Sequence, residues 1–213
     1  MKLSPSQIET IDVFLYKNNV KYIDIKLELL DHIASQIEVI MSNQNNSFEE
    51  AYDIVTTNWS PRFRSNSSFF IGLVYFFPQI VLDRLVARVK KHTLFIFCFT
   101  ALFSIPMFYY KDYSRLILRP FDGLFSSLTI VLSLFFSFFL IKINVQSKPT
   151  SYRFLVNQSV PTIIFFTGFN IMLDHEQIEL KFFYTLLILF QSIVVFKNYR
   201  LHTNFLNKYI ITL

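Results

Sequence analysis

Charge is missing from most of the second half of this chain. Residues 93–110, 123–141, 154–173 and 182–196 contain no Asp, Glu, Lys or Arg. Only 16% of the 213 residues are charged, against about 25% in a soluble domain. That excludes a water-solvated surface for these stretches. Glycine is scarce as well. Gly72, Gly123 and Gly168 lie too far apart to build a phosphate-cradling loop, and neither a Gly-x-Ser-x-Gly nor a His-Glu-x-x-His motif occurs. Cys98 is the single cysteine and lies inside an apolar run, so an intrachain disulfide is impossible. A thiol in hydrocarbon stays protonated and is no nucleophile. Charge-free spans also argue against ion-coupled transport, which places paired ionisable groups inside the bilayer. The first residues show no apolar signal-peptide core, and the first hydrophobic helix is expected to act as its own insertion signal.

What is present is apolar and aromatic: 53% of residues are hydrophobic and 27 are Phe. The uncharged stretches run 18, 19, 20 and 15 residues. At about 1.5 Å rise per residue, a hydrocarbon core of about 30 Å takes about 20 residues. The fourth fits if Leu180 joins it and Lys181 and Lys197 extend outward along the membrane normal. The chain therefore reads as all-α, a small cytosolic three-helix N-terminal bundle followed by a four-helix transmembrane bundle. The divisions are 1–64 for the bundle, 65–92 for a linker and basic amphipathic interfacial helix, and 93–197 for the spans (93–110, 123–141, 154–173 and 180–197). A cytosolic tail takes 198–213.

Loop charges set the orientation. The second loop carries Lys142, Lys148 and Arg153, and the tail carries Lys197, Arg200 and Lys208, with no acid in either. The third loop carries Asp174, Glu176 and Glu179, whereas the first is mixed. Basic loops stay in the cytoplasm, which puts the N- and C-termini on the cytoplasmic side of a multi-pass protein. The net charge of +5 is therefore explained by topology and lipid headgroups, and no direct nucleic-acid binding is expected.

The polar part begins with helix signals. Ser4, Pro5 and Gln7 form a capping box, as do Ser47 and Glu50. Ile8, Ile11, Phe14 and Leu15 mark one face of a first helix. Leu30, Ile33, Ile37 and Met41 mark a second, widened by Leu27 and Leu29. Ala51, Tyr52, Ile54 and Val55 mark a third, which Ser60-Pro61 ends. Such short helices need one another's apolar faces to persist in water.

The run Tyr22-Ile23-Asp24-Ile25-Lys26-Leu27-Glu28-Leu29-Leu30-Asp31-His32-Ile33, followed by Ile37-Glu38 and Ser47-Phe48-Glu49-Glu50-Ala51, resembles the HAAS-type helical domain at the cytosolic N-terminus of bacterial membrane proteins. The resemblance covers roughly the first 60 residues. It departs at the end of the third helix, where Asn58-Trp59-Ser60-Pro61 stands in place of a Leu-Gly-x-Pro-like ending. It implies a signalling role beside a PadR-type transcription regulator, at the bacterial cytoplasmic (inner) membrane. Glu28, Asp31 and His32 are the candidate partner surface.

Between the two parts, residues 69–82 are apolar except for a break at Pro78. From Gln79 the pattern turns amphipathic, with Leu82, Leu85, Val86 and Val89 opposite Arg84 and Arg88. Arg84, Arg88, Lys90 and Lys91 are candidate lipid-headgroup contacts of an interfacial helix. The rival is a fifth membrane helix over 69–85. Within the spans, Ser126, Thr129, Ser133 and Ser137 form a stripe. With Asn157, Asn170 and Gln191 they make a candidate polar packing face, because lipid removes the hydrophobic gain from helix association. A polar substrate path is the other reading of the stripe. Asp174, His175, Glu176 and Glu179 could approach a divalent cation, although solvated connector residues look the same in sequence. No catalytic residue, metal site or cofactor is expected. The leading function is a non-enzymatic signalling anchor, able to form a homo-oligomer. A small transport component and a lipid-modifying enzyme are the alternatives.

Overall fold

Both capping boxes form. Ser4 Oγ accepts the Gln7 N–H at 3.3 Å, and the Gln7 side chain accepts the Ser4 N–H at 2.8 Å. Ser47 and Glu50 repeat the pattern at 3.3 and 2.9 Å. They open α1 (Pro5–Lys17) and α3 (Phe48–Trp59). The structure is a computed structural model that describes residues 2–145 and 148–211. Met1 and the last two residues of the expected tail lie outside the described residues. Between the capped helices runs α2 (Ile23–Gln44), closed by Asn45 in the left-handed region at φ 53°, a conformation Asn tolerates.

α2 buries Ile25, Leu29, Ile33 and Ile37, each one turn from the next. Leu30 and Met41, expected on this stripe, are half-buried to its side. α1 contributes Ile11 and Leu15, and α3 contributes Ala51, Val55 and Trp59. α1 packs on α2, and α2 on α3. Phe14 presents its ring edge-on to Tyr52 and Phe63. The Trp59 indole N–H donates to Gln36 Oε1 at 2.8 Å, satisfying the one polar atom of a largely buried ring.

A 3-10 turn over Ser60–Phe63 follows. Then β1 (Ser65–Asn66) pairs antiparallel with β2 (Phe77–Pro78), Ser65 opposite Pro78. The residues between them form turns, with Gly72 at φ 96°. A membrane helix over 69–85 is therefore absent from this part of the chain. Helix α4 (Gln79–Tyr109) instead runs 31 residues without a break, joining the amphipathic segment to the first uncharged stretch. Leu82 and Leu85, expected to face lipid, are 3% and 0% exposed. Pro106 removes one hydrogen bond near the helix end.

Contacts divide the chain into two units. One is Met1–Arg88 with Lys148–Ser151, and the other is Val89–Ser147 with Tyr152–Leu213. After α4, the second unit holds α5 (Lys111–Leu118), α6 (Asp122–Val145), most of α7 (Ser151–Gln158), α8 (Val160–Met172) and α9 (Ile178–Ile211). The expected tail is largely the last turns of α9. Ser159 and Pro161 separate α7 from α8, since Pro161 has no N–H for the carbonyl one turn back.

Among the described residues the fold is all-α apart from the two short strands. Among the described residues, four helical stretches are long and apolar enough to cross a membrane: 79–109, 111–145, 151–172 and 175–208. α6 packs on both α8 and α9, which also pack on each other. Phe136, Phe139, Ile143, Val156, Ile163 and Val195 form their core. A second cluster sets Ile96 of α4 with Leu187 and Val194 of α9, and Phe95, Phe99 and Phe103 ring Phe190. The outward faces are apolar too: Leu102, Leu134 and Ile164 are 65%, 66% and 67% exposed. Faces of this kind are solvated by hydrocarbon and not by water, which is the make-up of an integral, multi-pass membrane protein.

Candidate functional site: a buried carboxylate node and a charged cluster

Asp24 stands in the first turn of α2, where the helix dipole favours a negative charge. Its side chain is 5% exposed, so both oxygens need partners. Oδ1 accepts the backbone N–H of Ser151 at 2.8 Å. Oδ2 accepts Arg88 Nη1 at 3.1 Å and the Ser151 hydroxyl. Arg88 also donates to Ser151 Oγ, closing a three-residue network. Beside it, the Ile23 N–H donates to the Pro149 carbonyl at 3.1 Å. The connection 148–151 is thus fastened to the N-terminus of α2 by backbone and side chain together, all inside the first unit.

One turn along, Arg84 pairs with Glu28 at 2.6 Å. Asp24 and Glu28 are four apart on α2, and Arg84 and Arg88 are four apart on α4, so the two pairs form an antiparallel ladder. Tyr22 closes the site. Its ring lies 5.8 Å from Phe77, and its phenol pKa is raised by burial first, then by the Asp24 and Tyr75 charges.

The second unit holds its own charged cluster. Asp122 opens α6 and is 10% exposed in its side chain. Lys181 Nζ donates to Asp122 Oδ1 at 2.8 Å, and His175 Nδ1 lies 2.6 Å from Oδ2. Glu179, 4% exposed, accepts Arg115 Nε at 3.2 Å and Ser114 Oγ at 3.4 Å. Arg119 pairs with Glu176 at 2.9 Å, and Arg115 also reaches the Glu176 carbonyl at 3.3 Å. Arg115, Arg119 and Asp122 around the first loop are thus each paired with a group around the third. Lys181, expected to extend outward, turns inward instead with 6% exposure. Its ammonium lies against the buried Asp122 carboxylate, where a low dielectric strengthens the attraction between the two charges. Lys197 is exposed.

The polar stripe divides. Thr129 meets Thr185 at 3.1 Å and Ser133 meets Thr167 at 2.7 Å, linking α6 to α9 and to α8. Ser126 is half-buried, whereas Ser137 is exposed and donates to the Ser133 carbonyl of its own helix. Asn170 is buried and donates to the Lys181 carbonyl at 2.9 Å and to Thr185 at 3.1 Å. Gln191 donates to Ser159 at 2.6 Å, and Asn157 pairs with Asn144 at 2.9 Å.

Of the expected partner surface, Glu28 is engaged with Arg84, while Asp31 and His32 are exposed. Among the expected headgroup cations, Arg84 and Arg88 bind carboxylates of the first unit, and Lys90 and Lys91 are exposed. Sequence reasoning did not single out Asp24, Ser151, Asp122 or Lys181 as a site. The matched four-residue spacings of Asp24/Glu28 and Arg84/Arg88 were the available signal. No group of three or more His, Cys, Asp or Glu placed to hold a metal occurs among the described residues. The arrangement is chemically a set of charge latches. No protein-family model, no curated protein and no solved structure matches this chain.

Proposed function

We propose that this chain is a membrane-anchored signalling or regulatory protein without enzymatic activity. In this reading α1–α3 form a small cytosolic bundle that binds a protein partner, and the apolar helices anchor it in the bacterial cytoplasmic membrane. The observation that carries the reading is the Asp24–Arg88–Ser151 node. It fastens the connection 148–151, which leads into α7, and the start of α4 to the helix that carries the partner face. A displacement of either segment alters the partners of a buried carboxylate at the N-terminus of α2, where an unpaired polar group is costly.

Two further observations support the details. Asp31 and His32 stay exposed on α2, one turn from the latch, and the HAAS resemblance implies a PadR-type regulator as the class of partner. The mutual pairing of the first and third loops leaves the second loop and the tail as the strongly basic connections, which favours both on the cytoplasmic side.

The test uses the full-length protein in lipid nanodiscs and the PadR-type regulators of the same genome. One regulator binds, and the double variant Asp31→Ala/His32→Ala weakens it by at least about tenfold, a loss of about 1.4 kcal/mol. Binding that is absent for every regulator, or unchanged in the double variant, overturns the reading.

A further inference from the structure

From Ser65 to Leu82 the chain contains no charged residue, although this segment belongs to the polar first unit. The loop between β1 and β2 holds most of it. Phe69, Val74, Phe76 and Leu73 are 83%, 81%, 68% and 64% exposed, and Phe70 and Tyr75 are 49% and 44% exposed. An apolar group of this size on the surface of a polar unit marks an interaction site.

The loop is also held in shape. Ile71 is 1% exposed and anchors its middle in the unit. The Ile71 N–H donates to the Ser68 carbonyl, and the Tyr75 N–H donates to the Gly72 carbonyl, both at 3.1 Å. Gly72 adopts φ 96°, and a Cβ there would meet the Tyr75 ring at 3.4 Å. Tyr75 stacks on Phe77 at 6.4 Å, and the Gln79 N–H donates to the Arg64 carbonyl at 2.9 Å. The apolar side chains are therefore displayed by an ordered scaffold, and binding need not order the loop first.

We propose that residues 69–76 are a lipid-inserting loop that places its aromatic and aliphatic side chains at the headgroup–acyl boundary of the bilayer. Three features select lipid over another protein. The side chains are Phe and Tyr mixed with Leu and Val, the composition of interfacial membrane anchors. Arg62 and Arg64 precede the loop, both exposed, where cations meet anionic headgroups. The chain then runs from β2 directly into α4, which is apolar enough to cross a membrane, so the loop is tethered to a bilayer at high effective concentration. The inference goes beyond the signalling reading and stands without it.

The test places a nitroxide at Val74→Cys in a Cys98→Ser background, with full-length protein held one copy per nanodisc. Relaxation by oxygen, which partitions into lipid, is compared with relaxation by a water-soluble nickel chelate. Leu134→Cys supplies the lipid-facing reference and Asn43→Cys the polar-surface reference. Val74→Cys behaves like Leu134→Cys, with the chelate effect lost and the oxygen effect retained. Chelate relaxation equal to that at Asn43→Cys overturns the proposal. So does protection that appears only in multi-copy liposomes, together with dipolar broadening that unlabelled protein dilutes away, because the occupant is then a second copy. Phe69→Cys gives the same readout if Val74→Cys does not fold.

Discussion

Asp24 and Ser151 are 127 residues apart in sequence, yet the Ser151 N–H donates to Asp24 Oδ1 at 2.8 Å. Arg88 joins from a third segment, so the node brings together the start of α2, the turn into α7 and the tenth residue of α4. The carboxylate is 5% exposed and the guanidinium 28% exposed, and that difference makes the two ends of the pair unequal.

Removing Arg88 takes the countercharge from a buried carboxylate and leaves it only the Ser151 hydrogen bonds, whereas removing Asp24 leaves a cation that still reaches water. Arg88→Ala is expected to destabilise the first unit by about 3–5 kcal/mol, the range for breaking a buried pair. Asp24→Ala loses less. Ser151→Ala keeps the backbone bond and costs about 1 kcal/mol. Thermal unfolding of the three purified variants in detergent gives the order, and an equal or reversed order for Arg88→Ala and Asp24→Ala contradicts it.

How much of this was legible beforehand depends on the range of the interaction. The capping boxes at Ser4 and Ser47 are local and appear where the residues predict them. The uncharged stretches are local too, and among the described residues four helical stretches of the right composition hold nearly all of them, the third as the pair α7 and α8. The extent of the helices was hidden, because nothing at His92 stops a helix and α4 runs from Gln79 to Tyr109. Leu82 and Leu85 carry the same alternation whether they face lipid or a protein core, so periodicity alone could not choose. The ion pairs were the least legible. Asp122 and Lys181 sit 59 residues apart, and each alone resembles an ordinary flanking charge.

Tyr22 provides a pH-dependent test in the part of the chain outside the spans. Its phenol pKa is raised by burial, by Asp24 and by Tyr75, so the folded state holds the proton more tightly than the unfolded chain. The stabilisation is complete below the unfolded value of about 10 and is lost as pH climbs from there toward the folded value. Stability should therefore decline on the alkaline side, with a shallower slope in Tyr22→Phe. Phenolate absorbance compared between the two proteins should show that the missing group titrates later than an ordinary tyrosine. An early-titrating Tyr22, or parallel slopes, counts against the burial of this ring.

The Asp122–Lys181 pair is enclosed on both sides, at 10% and 6% exposure. Either single neutralisation leaves an uncompensated charge, although His175 still touches Asp122 when Lys181 is lost. Asp122→Asn and Lys181→Met are each expected to cost about 3–5 kcal/mol, and the double variant less than either. Unfolding by denaturing detergent in mixed micelles measures the cycle. Additive losses in the double variant mean that the two side chains do not interact.

Thr185 is the polar centre of the α6–α8–α9 packing. Its hydroxyl donates to the Lys181 carbonyl at 2.8 Å, accepts from Asn170 at 3.1 Å and meets Thr129 at 3.1 Å. A membrane interior offers no water to replace these partners. Interhelical polar contacts average about 0.6 kcal/mol and reach about 1.7 kcal/mol. Thr185→Val keeps the shape and deletes the hydroxyl, so it should fall near the upper end of that range. Thr185→Ser should restore most of the loss. Ser137→Ala is the control, since that hydroxyl is exposed and bonds only to its own helix. The same mixed-micelle unfolding compares all three. A Thr185→Val protein as stable as Ser137→Ala would show that these helices are held by side-chain packing alone, with the Thr129–Thr185–Asn170 contacts contributing nothing.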